Sequence, residues 1–218
     1  LMTDQHIMFI RHGETVANQA HIAHGQSDSI LNERGVEQAK SAGNRLLNWS
    51  VPYHRIYTSP LSRALNTAEL INNQMNLPIQ SEPGLIECHL GDWEGLSYQE
   101  LREHRYAERA IADDHFSGHN GESPAVVSDR LTQTIRQLRQ NHPTENLILV
   151  SHGAAICHAM AALIGTKPLF GYQYLMHNAA ITEIKLSSDP EIIRLNDYQH
   201  LPPHLLSEGV PQAQSRNA

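Results

Sequence analysis

Cysteine is scarce in this 218-residue chain: only Cys88 and Cys157 occur, well separated and without CxxC spacing. They offer neither a disulfide framework nor a cysteine-built zinc site, and a reducing, cytoplasmic setting is expected. Long apolar runs are also missing. No stretch of about 18 apolar residues exists, and residues 1–10 lack the charged region and apolar run of a signal peptide, so the chain is expected to have no membrane partner and not to be exported. Excess positive charge is absent too. Sixteen Lys and Arg against 23 Asp and Glu give a formal charge of −7, which argues against a broad phosphate-backbone surface and against a nucleic-acid partner. Any cationic site must be local. The chain holds 15 histidines but no HExxH. Most are scattered, and His21, His104, His142, His200 and His204 stand in polar stretches where a solvated imidazole is the ordinary explanation, so no metal is expected.

Short apolar runs alternate with longer segments of helical period, the pattern of an α/β domain with a mostly parallel central sheet. His6–Ile10, Arg55–Thr58 and Leu147–Val150 read as buried strands, with Thr182–Leu186 and Ile192–Leu195 closing the sheet. Asn32 is placed to cap a helix over Glu33–Trp49. Ser59-Pro60 predicts the start of a second, with Leu61, Ala64, Leu65, Ala68 and Ile71 buried, and Ser123-Pro124 repeats that start signal ahead of Val127, Leu131, Ile135 and Leu138. A further helix follows Leu147–Val150, with Ala155, Ile156, Ala159, Met160 and Leu163 facing inward. The charged, weakly periodic segment 96–120 is expected to be an excursion over the strand ends. Residues 1–200 form one domain on this reading, and 201–218, polar with Pro-Pro and Gly, a flexible tail.

In an open α/β sheet, ligands bind beyond the carboxyl ends of the strands. The three predicted strands end in Arg11-His12-Gly13-Glu14-Thr15, in Thr58-Ser59-Pro60 leading to Arg63, and in Ser151-His152-Gly153. Two guanidiniums and two imidazoles therefore converge. A phosphoryl group suits the planar Arg fork, so Arg11 and Arg63 are natural bidentate partners. Gly13 and Gly153 admit a close backbone, and N–H groups at the start of the helix after His152 add donors for an anion.

Arg11-His12-Gly13-Glu14-Thr15 resembles the signature of the histidine phosphatase superfamily, the phosphoglycerate mutase-like proteins. The resemblance extends in order through Asn18, Gly25-Gln26-Ser27-Asp28, Leu31 and Gly35, Thr58-Ser59-Pro60-Leu61 with Arg63-Ala64, Glu87 ahead of Gly91-Asp92-Trp93-Glu94-Gly95, Gly121-Glu122-Ser123, and Ser151-His152-Gly153. It spans Phe9 to about Leu186. It implies a three-layer α/β sandwich and a phosphomonoester hydrolase working through a phosphohistidine on a small phosphorylated metabolite. His12 would be the nucleophile, with Arg11, Arg63 and a protonated His152 neutralising the phosphoryl oxygens without metal or cofactor. Glu87 would be the acid and base, Asn18 and Gly153 would bind phosphate, and Gln26 would line the entrance. Glu14 is expected to fix the loop, and Trp93 to be a packing anchor.

The superfamily also contains mutases, which share the phosphate pocket. Those of the phosphoglycerate mutase type carry a much longer insertion after the Trp-Glu-Gly block, where this chain has only 96–120, with Arg102, Arg105 and Arg109 alternating with acidic residues. Hydrolysis is therefore favoured over cofactor-dependent transfer. A non-catalytic phospho-ligand binder is the third reading, opposed by the joint presence of His12, Arg11, Arg63, His152 and Glu87. A monomer and a homodimer are equally compatible with the sequence.

Overall fold

A computed structural model describes residues 4–104, 113–208 and 216–217. Among these, seven strands form one sheet: β1 (Gln5–Arg11), β2 (Arg55–Thr58), β3 (Ile79–Ser81), β4 (Leu147–Ser151), β5 (Ile181–Leu186), β6 (Glu191–Asp197) and β7 (Arg216–Asn217), in the order β3-β2-β4-β1-β5-β6-β7. The first four are mutually parallel, and β5, β6 and β7 follow as antiparallel neighbours. Hence β1 to β4 and β6 run one way, a mostly parallel sheet. The described helices are α1 (Val16–Gln19), α2 (Glu33–Leu46), α3 (Ser62–Met75), α4 (Tyr98–Glu103), α5 (Pro124–Asn141) and α6 (Gly153–Ile164).

Successive strand residues point to opposite faces, which divides the core in two. Ile7, Phe9, Leu147 and Leu149 pack with Val127, Leu131 and Ile135 of α5 and Ile156 and Ala159 of α6. Met8, Ile10, Ile148 and Val150 pack with Ala42 and Leu46 of α2 and Ala64, Ala68 and Ile71 of α3. The result is three layers, with β1 and β4 apolar on both faces because both are covered. Each fully buried Ile or Phe contributes about 1.5–3 kcal/mol.

Local chemistry sets the helix starts. Asn32 Oδ1 accepts from Gly35 N at 2.8 Å and caps α2 as expected. The helix stops at Leu46 rather than Trp49, and Leu47 is exposed. Ser123 caps α5, with Pro124 in its first turn. The expected start of α3 at Ser59-Pro60 is corrected. The helix begins at Ser62, and Asp28 Oδ2, from a loop 34 residues earlier, accepts Ser62 N–H at 2.7 Å. Its inward stripe is Arg63, Ala64, Thr67, Ala68 and Ile71, so Leu61 and Leu65 give way to an arginine.

Residues 201–208 are not the start of a flexible tail. Leu201 is buried, Pro203–Leu205 forms a 3₁₀ turn, and Leu205 O and Ser207 Oγ accept from the buried Gln38 amide. His200, read as solvated, is enclosed as well: Nε2–H donates to Ala179 O at 2.8 Å and Nδ1 accepts from Arg45 Nη1. His142 likewise lies 2.7 Å from the Tyr57 hydroxyl. Part of the 96–120 segment, 105–112, lies outside the described residues. Its flanks pack close to the strand ends: Ser97 bridges Ile22, and Phe116 and His119 stack on Trp93.

Candidate active site

Because β2, β4 and β1 are adjacent and parallel, their carboxyl ends lie side by side, with Arg11 opposite Ser151 and Thr58 opposite Val150. Each strand runs directly into a candidate residue. His12 N–H donates to Ser151 O, Ser59 N–H donates to Val150 O, and His152 is the N-cap residue of α6.

The His12 imidazole is buried, with Nδ1 2.7 Å from Gly13 O. A carbonyl only accepts, so Nδ1 carries the hydrogen and Nε2 keeps its lone pair. Burial, then Arg63, His152 and Arg11, hold the ring well below the ordinary histidine range, against the opposing pull of the Gly13 carbonyl. His12 is therefore neutral and poised as a base or nucleophile. Its centroid lies 5.2 Å from His152. The expectation of a cationic His152 is corrected for the resting protein: Nδ1 accepts from Arg63 Nε at 3.2 Å, and Nε2–H faces Ser59 Oγ at 2.7 Å. Burial and the Arg63 charge push it well down, too.

The two guanidiniums differ. Arg63 is fully buried, and besides His152 it donates to Ser27 O, Gly25 O and Asp28 Oδ1. The bidentate phosphate grip expected of it is thus replaced by a grip on the loop over 24–28, which folds across the first turn of α3 and presents its carbonyls there. Arg11 gives one N–H to Met176 O at 2.7 Å, while its Nε is buried without a hydrogen-bond partner. Such a group is costly to leave unpaired, and an anionic oxygen is its natural complement. Gly153 lies against this guanidinium, where a Cβ would stand 3.5 Å from Nε.

Glu87 caps α6 from outside. Oε1 accepts from Cys88 N and Ala155 N, and Oε2 from Ala154 N at 3.1 Å. Two of the helix N–H groups expected to meet an anion directly, those of Ala154 and Ala155, are therefore taken by this carboxylate. Gln26 does not simply line an entrance, because its amide donates to Glu87 O at 3.1 Å. Asn18 Oδ1 accepts from Thr15 N in a capping box and from Asn178 Nδ2, and among the described residues its own amide hydrogens reach only Tyr98 OH, at 3.5 Å. Glu94 organises the loop, accepting from Gly25 N, Gln26 N, Ser27 Oγ and Leu90 N. Glu14 binds Asn32 and Arg34, and Trp93 is buried under the stack of His119 and Phe116.

The profile of the histidine phosphatase superfamily (branch 1) matches residues 7–198. The chain belongs to this family. A protein of Bacillus subtilis (strain 168) named Uncharacterized phosphatase PhoE is 32% identical over 88% of this chain and 93% of its own. Phosphoserine phosphatase 1 of Hydrogenobacter thermophilus is 30% identical over 89% of this chain and 93% of its own. The solved phosphoserine phosphatase mutant of Entamoeba histolytica, in complex with phosphoserine, superposes with a TM-score of 0.81 at 27% identity, covering 91% of this chain and all of that one.

Three side chains to which the sequence assigned no role at the site, Thr67 and Asn178 within stretches that resemble the family and Gln38 outside them, hold the histidine phosphatase loop. His12 O accepts from Asn178 Nδ2, Gly13 N donates to Thr67 Oγ1, and Glu14 N donates to Gln38 Oε1. A fourth, His24, stands edge-on to His12 at 6.2 Å and contacts Thr15 Oγ1. Only its position beside Gly25-Gln26 marked it in the sequence.

Buried neutral histidines make stability fall in acid. Burial, followed by Arg63 and Arg11, lowers His24 to about 4, and burial lowers His200 to about 4. Their folded values lie below that of the unfolded chain, which therefore binds more protons at intermediate pH. The stabilisation is complete above about pH 6.5 and is lost as pH falls from there toward 4. At pH 5 these two residues cost about 2 kcal/mol each, and His12 and His152 act in the same direction. Urea unfolding at pH 7.5 and pH 5.0 should show a loss of several kcal/mol. Equal midpoints at the two pH values would contradict the buried neutral assignment.

Proposed function

We propose that this chain hydrolyses small phosphate monoesters through a phosphohistidine on His12. The observation that carries the reading is the His12 ring, neutral, tied at Nδ1 to Gly13 O, with Nε2 unencumbered between the charges of Arg11 and Arg63. In the first step the Nε2–P bond forms as the bond from phosphorus to the ester oxygen breaks, and Glu87 gives that oxygen its proton. In the second, water attacks phosphorus, Glu87 takes its proton, and the P–N bond breaks to free phosphate and His12. The buried Nε–H of Arg11 and the amide of Asn18 supply donors for the phosphoryl oxygens, and Arg63 supplies charge from below. His152 gains its proton only when the phosphoryl dianion arrives beside it. The relatives' names, among them phosphoserine and α-ribazole phosphatases, support a small phosphorylated metabolite as substrate.

The test is phosphate release from a panel of phosphorylated metabolites and an aryl phosphate in EDTA. Release is expected to persist, because the positive charge belongs to side chains. Loss on chelation with recovery on adding a divalent ion would overturn the metal-free chemistry, and no release from any ester would overturn the hydrolase reading.

A further inference from the structure

The hydrogen bond that sets the His12 tautomer ends on the carbonyl of Gly13, and that carbonyl belongs to the same peptide unit as Glu14 N–H. In a planar trans peptide the two groups point in opposite directions, so fixing one fixes the other. Glu14 N–H donates to Gln38 Oε1 at 2.8 Å. Gln38 is fully buried on the inner face of α2, one turn beyond Gly35. That turn can approach so closely only because neither Gly35 nor Gly13 bears a side chain: a Cβ on Gly35 would stand 2.0 Å from Glu14 O, and one on Gly13 2.5 Å from Gly35 O.

An amide could present either end to Glu14. What selects the oxygen is the other end of Gln38, whose Nε2 donates to Leu205 O at 2.6 Å and Ser207 Oγ at 3.1 Å. Ser207 Oγ in turn donates to Asn178 Oδ1 at 2.9 Å, and Asn178 Nδ2 donates to His12 O. The segment 205–207 therefore reaches the loop along two routes, which end on the two peptide units flanking Gly13.

We propose that Gln38 is a positioning residue for His12, oriented by Leu205 and Ser207, and that residues 205–207 thereby hold the nucleophile in its Nδ1–H tautomer. The inference rests on His12 being the nucleophile, but the tautomer can be read without turnover. Releasing Glu14 N–H lets the 13–14 peptide rotate, Gly13 O leaves Nδ1, and the fraction of rings with a bare Nε2 falls.

The experiment compares the full chain with Gln38→Met and Ser207→Ala, each labelled with ¹⁵N-histidine and assigned against His12→Gln. Ring ¹⁵N shifts, kcat, KM and the thermal midpoint are measured together. The parent is expected to show a protonated Nδ1 and a bare Nε2 at His12. Gln38→Met should lower kcat about 10- to 100-fold, the size of effect seen when the partner that orients a metal-bound histidine is removed, with KM changed by less than about threefold and the His12 shifts moved toward mixed tautomers. Ser207→Ala, which leaves the Leu205 bond, should move both in the same direction by about 2- to 5-fold in kcat. A lowered thermal midpoint with parental kcat and parental ring shifts in the folded variants would make Gln38 merely structural and overturn the proposal. Should Gln38→Met not fold, parental values in Ser207→Ala overturn it alone. If the parent hydrolyses no ester, the proposed function fails, while the ring shifts still decide the relay.

Discussion

Replacing His12 by alanine is expected to lower turnover at least ~10³-fold while the protein remains folded. Among the described residues the imidazole makes one side-chain hydrogen bond, to the carbonyl of the next residue, so its removal breaks no hydrogen bond between these elements. The loop itself is held by backbone groups, through Ser151, Asn178, Thr67 and Gln38, and these survive the substitution. Loss of a ring buried among Arg11, Arg63 and His152 even relieves a desolvated neighbour of the two cations. Steady-state phosphate release together with the circular dichroism spectrum checks both halves. A folded variant with near-parental turnover would remove His12 from the nucleophilic role.

The second large effect concerns Glu87. An alkyl ester leaves as a strongly basic alkoxide and needs a proton, whereas nitrophenolate leaves without one. Glu87→Gln should slow phosphorylation by an alkyl phosphate about 10²- to 10⁴-fold, the typical contribution of a placed acid, and by a nitrophenyl ester less than about tenfold. The amide can keep Oε1 opposite Cys88 N–H and Ala155 N–H. Its NH₂ then meets Ala154 N–H, which costs about 1–3 kcal/mol of stability. Since water activation also suffers, an acid-labile, base-stable phosphoryl adduct should accumulate with either ester. Rapid-quench single turnovers measure both. Equal slowing for the two esters would make Glu87 a helix cap that only positions α6, and Glu94, committed to four loop donors, would not replace it.

Local chemistry was legible in the sequence, and remote chemistry was not. Asn32 could be read as the cap of α2 because its partner, Gly35, lies three residues away, and the two-faced strands β1 and β4 announced themselves as apolar runs. The start of α3 was misplaced because its cap is Asp28, far upstream, and because Ser59 serves His152 instead. Arg63 was identified as a site residue, yet its role as the buried tie of the loop over 24–28 depends on carbonyls that no side-chain pattern reveals. The tie that Gln38 makes, and that of Asn178 inside its family-like stretch, are hidden for the same reason. A polar side chain is meaningful through its partners, and theirs come from segments more than 20 residues away. Residues 201–208 read as a tail because Pro202, Pro203, His204 and Ser207 break up their leucines and leave no periodic stripe. Leu201 is nevertheless buried, and Leu205 O and Ser207 Oγ bond to the buried amides of Gln38 and Asn178. The three-residue edge strand β3, exposed throughout, contains one apolar residue, Ile79, too little to form a pattern.

The central place of β1 in the sheet has a bearing on how the molecule is made. Its two neighbours are β4, paired from Ile7↔Leu147 to Arg11↔Ser151, and β5, which runs alongside it as far as Gln5↔Leu186. As the chain leaves the ribosome, β1, which leads into His12, therefore emerges long before either of its neighbours. At about 5–20 residues per second it waits some seconds, apolar on both faces and with both edges open, before residue 147 arrives. Pairings of such long sequence separation are slow to form in any case. A nascent chain stopped before β4 would expose Ile7 to Ile10 to whatever holdase or other nascent chain is near, and the interval of greatest aggregation risk coincides with the synthesis of residues 11–146.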